Sequence, residues 1–392
     1  MNEVFIVSAK RSPIGGFLGS LSGLSATELG AMVVQEAFRS AALDPSSIDS
    51  VYMGNVLSAG LGQSPARQAS RFAGIRDEAD CTTVNKVCAA GMKAAIIGAQ
   101  QIQLGLDELV IAGGMESMSN VPHYATLRKS VKLGDETFTD GLLKDGLTDV
   151  YNRFHMGNAA ELCVKKYRLS REEQDEYALR SYERAAAATR QGKFSSEIVP
   201  VSLSTKSGEI AVSEDEDIKK IIPEKVPKLK PTFQQDGTIT AANASNLNDG
   251  AAAMLLASAA AVKKFNLKPL ARIVAYADAA GAPEWFTTAP SAAISIALRR
   301  AQLSLDAISF FEINEAYAAV ILANQRILGL EPEKVNVYGG SVAMGHPLGA
   351  SGARIMCTLS SVLKQEGGRY GIAAICNGGG GASAVVLENL QS

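Results

Sequence analysis

The chain has 392 residues, of which 47% are hydrophobic and 20% are charged, and its formal net charge is −2. This length exceeds one ordinary hydrophobic core and predicts two or three domains in a protein of normal globular composition. The charge gives no electrostatic reason to expect nucleic acid or an anionic membrane as a partner, and no apolar run reaches the roughly 18 residues of a membrane span.

The N-terminus and the cysteines bear on the cellular compartment. A strand is predicted from Val4 onward with no secretory or Arg-rich leader before it, so we expect no targeting segment in this sequence. An odd number of cysteines without paired spacing favours a reducing compartment. These cysteines are Cys81, Cys88, Cys163, Cys357 and Cys376. Because a trimmed mature chain would look the same, we expect either the mitochondrial matrix or the cytosol.

The N-terminal part of the chain alternates between predicted strands and predicted helices. The strands are expected at residues 4–9, 51–56, 82–84 and 109–112, and the helices at residues 27–41, 63–72 and 89–104. Thr27 is the predicted N-cap of the first helix. Alternation of this kind is typical of a mostly parallel sheet.

Residues 118–248 interrupt this alternation and are predicted to form an inserted loop or lid subdomain that covers a pocket. The segment Ser170-Arg171-Glu172-Glu173 is a capping box, and it predicts a helix that ends before Gly192. The acidic run at residues 214–217 is interpreted as a solvated face.

The alternation returns in the C-terminal part, where strands are predicted at residues 251–257, 271–277, 310–313, 372–376 and 384–388, and helices at residues 291–301, 315–328 and 351–364. The two ends are faintly similar, since residues 43–54 match residues 303–314 at one constant offset. We interpret the protein as an α/β fold with two pseudo-repeated halves, residues 1–117 with 249–268 and residues 269–392, which face each other across the site.

Four segments place a reactive or polar side chain after a predicted strand, where sites gather in α/β sheets. These side chains are Cys88, Asn314, His346 and Cys376. The helix after Cys88 is expected to shift its thiol toward thiolate, and the glycines after Asn377 leave bare N–H groups for an oxyanion. Each residue alone has a structural alternative: a buried cysteine, a loop histidine or an N-cap asparagine. Together they are what acyl transfer through a thioester requires.

Six motifs that follow in order along nearly the whole chain resemble the thiolase family, in particular the acetoacetyl-CoA thiolases, and details such as residues 226–230 and 380–384 are most similar to the eukaryotic mitochondrial and plant forms. They are Asn85-Lys86-Val87-Cys88, Gly113-Gly114-Met115-Glu116-Ser117, Asn243-Ala244-Ser245, Asn314-Glu315-Ala316, Gly345-His346-Pro347 and Cys376-Asn377-Gly378. The resemblance implies a five-layered α/β/α/β/α fold, a homotetramer and an acetyl-CoA C-acetyltransferase. Such an enzyme joins two acetyl-CoA molecules into acetoacetyl-CoA and CoA, or catalyses the reverse cleavage. It needs no covalently bound cofactor.

The resemblance also implies roles for the reactive residues. Cys88 matches the nucleophile that takes the acetyl group, and His346 matches the base that activates it. Asn314 matches the residue that holds a water beside His346, and Cys376 matches the acid/base that removes the α-proton of the second acetyl-CoA. The N–H groups of Cys88 and Gly378 match the oxyanion hole of the acetyl-enzyme.

Substrate and ion contacts follow from the same resemblance. The residues that match contacts to the acyl group and to CoA are His155, Met156, Tyr182, Lys220, Lys225 and Ser245. In the members that use potassium, the ligands of the ion match Tyr182, Ala241, Ala242, Ala244 and Val342. The inserted subdomain would then bind CoA and make tetramer contacts.

The chain departs from the family pattern without losing a reacting group. Ala90 stands where Ser is usual, Tyr317 where Phe is usual, and Ser341 and Met344 where Ala and Leu are frequent. Tyr317 and Met344 could alter the acyl-chain preference, so acceptance of 2-methylacetoacetyl-CoA and of longer chains stays open.

Other classes of protein were weighed against this interpretation. The alternatives are a longer-chain 3-ketoacyl-CoA thiolase, a ketoacyl synthase and a non-catalytic protein that binds acyl-CoA. A ketoacyl synthase would require a histidine in place of Cys376. A dinucleotide site is disfavoured because no Gly-x-Gly-x-x-Gly opens a helix after the first strand. A zinc site is disfavoured because the three histidines are scattered and no Cys-x-x-Cys occurs.

Overall fold

The computed structural model of this protein describes residues 2–128, 133–205 and 208–391. Its α-helices are α1 (Ala26–Arg39), α2 (Pro65–Phe72), α3 (Ala90–Leu104), α4 (Met156–Tyr167), α5 (Arg171–Arg190), α6 (Ala259–Lys264), α7 (Ala289–Ala301), α8 (Ala318–Leu328), α9 (Ser341–Met344) and α10 (Leu348–Gln365). Its strands are β1 (Val4–Arg11), β2 (Gly15–Gly16), β3 (Ser50–Gly54), β4 (Asp80–Val84), β5 (Leu109–Ser117), β6 (His123–Tyr124), β7 (Thr139–Asp140), β8 (Thr148–Asp149), β9 (Phe154–His155), β10 (Val201–Thr205), β11 (Gly208–Val212), β12 (Asn248–Ser258), β13 (Ala271–Ala280), β14 (Phe310–Ile313), β15 (Tyr370–Asn377) and β16 (Gly381–Asn389).

The main sheet has the strand order β14-β15-β16-β13-β1-β12-β5-β3-β4, and the short β2 pairs with β12. Five of these strands belong to the N-terminal half: β1, β12, β5, β3 and β4. The other four belong to the C-terminal half: β14, β15, β16 and β13. Among the strands of the described ranges, a short antiparallel pairing of β1 with β13, at Phe5–Arg272 and Ile6–Ala271, joins the sheet of one half to that of the other.

The expectation of a mostly parallel sheet is wrong. In the described part of the chain, parallel pairing is confined to β3 with β4, β3 with β5 and β14 with β15. The strands β15 and β16 form a hairpin across a glycine turn, so they pair antiparallel. After β5, the chain leaves for the long insertion and returns as β12, which runs antiparallel to β5. Alternation along the sequence could not show these reversals.

Helices fill the space between the two halves and cover both outer faces. The helices α3 and α10 pack against each other and against strands of both halves, in a core that includes Met92, Ile96, Ile355 and Leu359. The outer face of the N-terminal half is covered by α1 and α2, and that of the C-terminal half by α7 and α8. This is the α/β/α/β/α layer order that the family resemblance implies.

The two halves repeat one order of elements. The N-terminal half runs β1, α1, β3, α3, β5 and β12, and the C-terminal half runs β13, α7, β14, α10, β15 and β16. Residues 118–247 lie between β5 and β12. The edge strand β4 of the N-terminal half has no full strand as its equivalent among the described residues of the C-terminal half. A single parallel bridge, between Phe311 and Val335, takes its place. Consequently α3 and α10, the helices that follow Cys88 and His346, occupy equivalent places.

The structure tests three predictions about where helices begin. Ser25, not Thr27, caps α1, because Glu28 completes a capping box with it. The capping box at Ser170 is confirmed. The helix expected from residue 315 begins at Ala318, since the preceding residues stay extended and bond to the segment 243–245.

The interpretation of residues 214–217 as a solvated face is also wrong. Asp215 is buried, and its carboxylate accepts hydrogen bonds from Arg11 Nη1 (2.7 Å), Arg11 Nη2 (3.0 Å) and the N–H of Ile14 (2.8 Å). Glu216 accepts from the backbone N–H of Ser20 at 2.9 Å. The acidic run therefore anchors the insertion to the loop after β1. None of the helices in the described ranges is both long and apolar enough to cross a membrane.

Backbones touch where β3, β5, α3 and α10 meet. A Cβ atom added at Gly114 would lie 2.0 Å from the carbonyl oxygen of Gly349, and one added at Gly54 would lie 2.4 Å from the nitrogen of Gly91. Because the obstructing atoms belong to the backbone, no side-chain rotation can relieve the overlap. Only glycine fits here, and the first turn of α10 is held directly behind the Cys88 turn.

We expect Gly114→Ala to lower the free energy of unfolding by about 3 kcal/mol or more, because the start of α10 must move. Chemical denaturation monitored by circular dichroism measures the change. The matched control is Gly23→Ala, since a Cβ at Gly23 would meet no atom within 4 Å. Equal stability of the two variants would contradict this packing argument.

Candidate active site

A cavity of about 340 Å³ lies where the two halves and the insertion meet. The two halves contribute Cys88, His346 and Gly378 to its wall, and the insertion contributes His155 and Met156. Cys376 and Asn314 are fully buried behind that wall. The structure therefore brings the predicted reactive residues to one place.

A strained turn presents Cys88 at the start of α3. The preceding Val87 has φ = 47°, an outlier for a β-branched residue, and its N–H donates to Asn85 Oδ1 at 3.0 Å. The N–H groups of Ala89 and Ala90 close the turn onto the carbonyls of Lys86 and Val87 at 3.1 and 2.9 Å. Strain of this kind concentrates at functional sites and here turns the thiol toward the cavity.

The Cys88 thiol is protonated at rest, which corrects the expectation of a thiolate. Burial raises the pKa of Cys88 to about 11, and the neighbouring Glu116 carboxylate acts in the same direction. The N–H groups of Gly378 and of Cys88 itself bond to the sulfur and lower the pKa, but less than burial raises it. Two backbone donors thus already converge at the sulfur.

The hydrogen bonds of His346 favour one tautomer. Ser351 Oγ lies 2.9 Å from the carbonyl of Pro347 and 2.6 Å from His346 Nδ1, so when the hydroxyl gives its single proton to that carbonyl it accepts from Nδ1. On the other side of the ring, Asn314 Nδ2, which can only donate, lies 3.4 Å from Nε2. Both contacts fit a proton on Nδ1 and the lone pair on Nε2, which is the arrangement of a base.

The position of His346 is fixed through its backbone as well. Its N–H donates to Asn248 Oδ1 at 2.9 Å, and Asn248 Nδ2 donates to the carbonyl of Gly15 at 3.0 Å. Burial, aided by the positive charge of Arg354, lowers the pKa of His346 to about 3. The ring is neutral at physiological pH.

This shift predicts a dependence of stability on pH. The ordinary pKa of histidine is 6.5, so between about pH 6.5 and about pH 3 the unfolded chain binds a proton that the folded protein refuses. The contribution of His346 to the free energy of unfolding is therefore lost as the pH falls through that window. We expect His346→Asn to show a shallower loss of unfolding free energy between pH 6.5 and about 4 than the wild type. Chemical denaturation of both proteins at a series of pH values measures the two slopes, and equal slopes would contradict the prediction.

The glycine turn after β15 brings Cys376 and Gly378 to the same wall. Gly379 and Gly380 have φ = 86° and φ = 83°, which L side chains rarely adopt, and a Cβ at Gly380 would lie 2.5 Å from the carbonyl of Gly281. Burial raises the pKa of Cys376 well above its ordinary value, and the proximity of Cys88 adds to the rise. Cys376 is therefore a second protonated thiol, close enough to sense the charge on the first.

Family models show which proteins share this arrangement. Residues 4–260 match the thiolase N-terminal domain, and residues 267–389 match the thiolase C-terminal domain. The chain belongs to the thiolase family. This thiolase is 54% identical to the cytosolic acetyl-CoA acetyltransferase of Gibberella zeae, over 99% of this chain and 98% of that protein. It is 52% identical to the mitochondrial acetyl-CoA acetyltransferase of Bos taurus, over 100% of this chain and 92% of that protein.

Solved structures agree with the family assignment. The crystal structure of the Acat5 thiolase from Ascaris suum in complex with coenzyme A is 47% identical, with a TM-score of 0.94, and the match covers 99% of this chain and 100% of that one. The human mitochondrial 3-ketoacyl-CoA thiolase is 40% identical with a TM-score of 0.96, and 99% of each chain is covered. The thiolase fold predicted from the motifs is confirmed.

The predicted CoA contacts of this thiolase divide between two adjoining spaces. Ser245 lines the Cys88 cavity with His155 and Met156, and its hydroxyl donates to the carbonyl of Ala316 at 2.9 Å. A neighbouring groove of about 530 Å³ shares part of its wall with that cavity. The predicted residues that line the groove are Tyr182, Lys220, Lys225, Ala241 and Ala242.

The residues predicted to contact CoA or potassium differ in their surroundings. Lys220 is already paired with Glu216 (2.9 Å) and Asp217 (2.7 Å), so its ammonium group is partly neutralised. Lys225 lines the groove. Val342 is fully buried behind Tyr182, in the same apolar cluster, and lines neither space. Ala244 lies in the wall of the Cys88 cavity.

Sequence reasoning missed two residues that shape the site of this thiolase. Ser351 follows His346 by five residues, a spacing that places its hydroxyl under the ring once α10 begins at Leu348. Glu116 is the last residue but one of the buried strand β5, and its carboxylate accepts from the N–H groups of Val56 (3.1 Å) and Gly349 (2.9 Å). The position of a carboxylate in an otherwise apolar, glycine-containing strand could have indicated in the sequence that Glu116 has a special role.

Proposed function

We propose that this thiolase is an acetyl-CoA C-acetyltransferase, which condenses two acetyl-CoA molecules to acetoacetyl-CoA and CoA or cleaves acetoacetyl-CoA in the reverse direction. The observation that carries the proposal is the meeting of two thiols, a neutral imidazole and two backbone donors at one cavity. Relatives at about half identity that carry this name support the choice of substrate.

In the first half-reaction, Cys88 attacks the thioester carbonyl while its proton passes to His346 Nε2. Both groups start neutral, so the proton moves as the carbon–sulfur bond forms and no ion pair has to be stored beforehand. The N–H groups of Cys88 and Gly378 stabilise the developing oxyanion. The departing CoA thiolate takes the proton of Cys376, whose raised pKa keeps that proton available. This step leaves acetyl-Cys88, an imidazolium and a Cys376 thiolate.

In the second half-reaction, the Cys376 thiolate removes an α-proton from another acetyl-CoA. The resulting carbanion attacks acetyl-Cys88, and the Cys88 thiolate leaves and regains its proton from His346. Acetoacetyl-CoA is released and both thiols are restored. The nearby N–H of Asn314 supports the thioester oxygen of the second substrate through a bound water, as the family pattern implies.

The groove beside the cavity is proposed to hold the nucleotide end of CoA. It opens beside Lys225 and continues into the Cys88 cavity through shared residues Ala241, Asn246 and Leu247. A cation at the outer end and an apolar inner end match the phosphates and the pantetheine arm of CoA. The name of the Ascaris suum structure records coenzyme A bound to that protein.

Potassium is proposed as an optional ligand near the groove, which Tyr182, Ala241, Ala242, Ala244 and Val342 would hold through oxygen atoms. An all-oxygen donor set suits a hard cation. Burial raises the pKa of Tyr182 to about 12, and Asp217 adds to the rise, so the phenol stays neutral. The ion would fix the loop that carries Ser245. Three or more His, Cys, Asp or Glu side chains do not cluster as metal ligands in the described ranges.

A homotetramer is proposed from the surface of the insertion. Large apolar side chains are exposed there, including Leu133 at 95% and Phe138 at 73%. Exposed apolar side chains of this size are candidates for contacts between subunits. For compartment, the free thiols favour the cytosol or the mitochondrial matrix, and relatives are named from both.

Thiolysis assays test the proposal. Cleavage of acetoacetyl-CoA by CoA is followed by the loss of enolate absorbance, in parallel with 2-methylacetoacetyl-CoA and a long-chain 3-ketoacyl-CoA, each with and without potassium. We expect acetoacetyl-CoA to have the highest kcat/KM. A higher value for the long-chain substrate would favour the longer-chain 3-ketoacyl-CoA thiolase, and CoA binding without turnover would favour a non-catalytic protein.

A further inference from the structure

A buried hydroxyl links the Asn314 side chain to a buried guanidinium. Ser341 Oγ donates to Asn314 Oδ1 at 2.7 Å and accepts from Arg354 Nη2 at 3.1 Å. Asn314 Nδ2 in turn lies 3.4 Å from His346 Nε2. All four residues are buried. The chain of contacts therefore runs from the middle of α10 to the ring nitrogen that faces the cavity.

The direction of each bond in this chain is determined by chemistry. Arginine can only donate, so Ser341 Oγ must accept from Arg354 and has its single proton left to give. In the observed orientation that proton goes to Asn314 Oδ1. If the amide of Asn314 were turned over, Ser341 Oγ would face two donors and its own proton would lose this acceptor. Losing a buried hydrogen bond carries a desolvation penalty, so the hydroxyl favours one orientation of the amide.

The guanidinium of Arg354 is itself held in place. Its Nη1 lies 3.8 Å from Glu312 Oε2 and 3.5 Å from Thr358 Oγ1. Glu312 sits on β14, two residues before Asn314, and Thr358 lies one turn further along α10. The donor to Ser341 is thus fixed by both the strand and the helix that carry the reactive residues.

We propose that Ser341 is a positioning residue, whose hydroxyl aims the N–H of Asn314 at His346 Nε2 and thereby holds the imidazole in the tautomer with its proton on Nδ1. This inference deepens the proposed function and rests on it for its catalytic consequence. With the amide reversed, Asn314 Oδ1 would face Nε2 and favour a proton there. A protonated Nε2 cannot accept the proton of Cys88.

The two sides of the imidazole reinforce each other. On the Nδ1 side, Ser351 could donate to the ring only by giving up its bond to the carbonyl of Pro347. On the Nε2 side, Ser341 acts through Asn314. Both serines therefore favour the same tautomer, one by direct contact and one through an amide. Removing the Ser341 hydroxyl leaves the ring with one of these two constraints.

Nitrogen NMR of protein labelled with ¹⁵N-histidine tests the inference directly. The chain has only three histidines, and the signals of His346 are those lost in His346→Asn. We expect the wild type at neutral pH to show a protonated Nδ1 and an unprotonated Nε2, and Ser341→Ala to populate the Nε2-protonated form. Ser341→Cys, which keeps a similar size with a much weaker donor, should shift in the same direction and serves if the alanine variant folds poorly.

Kinetics provide the second measurement. We expect Ser341→Ala to lower kcat for thiolysis roughly 10–100-fold with little change in KM, as for other residues that orient a reacting group. The matched control is Ser360→Ala, which removes another buried hydroxyl from α10, one that donates to the carbonyl of Met356 at 2.9 Å. This control should retain the wild-type kcat and the wild-type tautomer.

The NMR and kinetic results together distinguish a failure of the positioning role of Ser341 from a failure of the proposed function. A wild-type tautomer and an unchanged kcat in both Ser341→Ala and Ser341→Cys would overturn the positioning role, as would a wild-type protein with its proton on Nε2. If the wild type fails to cleave acetoacetyl-CoA while Ser341→Ala still changes the His346 signals, the proposed function is wrong and the positioning of the ring stands.

Discussion

Replacing Cys88 by alanine is expected to abolish the transfer of label from [¹⁴C]acetyl-CoA to the protein and to lower thiolysis at least roughly 10⁴-fold. The physical reason is that the N–H groups of Cys88 and Gly378 are directed at the Cys88 sulfur. Among the described residues, they are directed at no other sulfur in the cavity wall. Without it, no thioester on the protein can form at the oxyanion site.

Acid-quenched labelling followed by gel filtration measures this loss. The matched control is Cys81→Ala, which removes a half-buried thiol on β4, outside the cavity. That variant should label and turn over as the wild type does. Stoichiometric labelling of the Cys88→Ala protein would show that another group is the nucleophile.

Replacing Cys376 by alanine is expected to separate the two half-reactions. Acetylation of Cys88 should continue at a moderately reduced rate, because a CoA thiolate can leave without much help from an acid. Condensation and thiolysis should fall roughly 10²–10⁴-fold, the range typical of a lost general base, since a carbon-bound proton cannot be removed without one. The same variant should cease to exchange the α-hydrogens of acetyl-CoA with deuterium from the solvent.

Single-turnover acetylation and steady-state condensation on the same preparation distinguish these steps. The control Cys357→Ala removes a fully buried thiol of α10 that does not line the cavity. Full condensation activity in Cys376→Ala would remove this residue from its proposed role. An equal loss in both half-reactions would instead mean that the substitution disturbs the Gly378 turn.

The sequence was sufficient to place Cys88, Asn314 and Cys376 because each lies at or near the end of a strand, whereas His346 follows the short helix α9 and not a strand. Cys88, Asn314, His346 and Cys376 all lie near the ends of β4, β14 or β15 or at the start of a helix between the sheets, and such positions converge once the halves face each other. The five layers were implied by the resemblance to the thiolase family, which the order of the motifs supports. These features depend on local signals that survive without any knowledge of packing.

Features that depend on long-range packing could not be predicted. The protonation of Cys88 is one, because the helix N-terminus is visible in the sequence whereas the burial that outweighs it is not. The anchoring of Asp215 is another, since its partner Arg11 lies 204 residues away. The link from Arg354 through Ser341 is a third. In the sequence, Ser341 is only a departure from a family pattern.

The buried pairing of Arg11 with Asp215 and Glu197 has a consequence for how the molecule comes apart. Two carboxylates from the insertion neutralise a guanidinium that belongs to the first strand of the sheet, and leaving that charge buried and unpaired would cost about 3–5 kcal/mol. We therefore expect the insertion to unfold together with the sheet, so that a melting experiment shows a single transition for both.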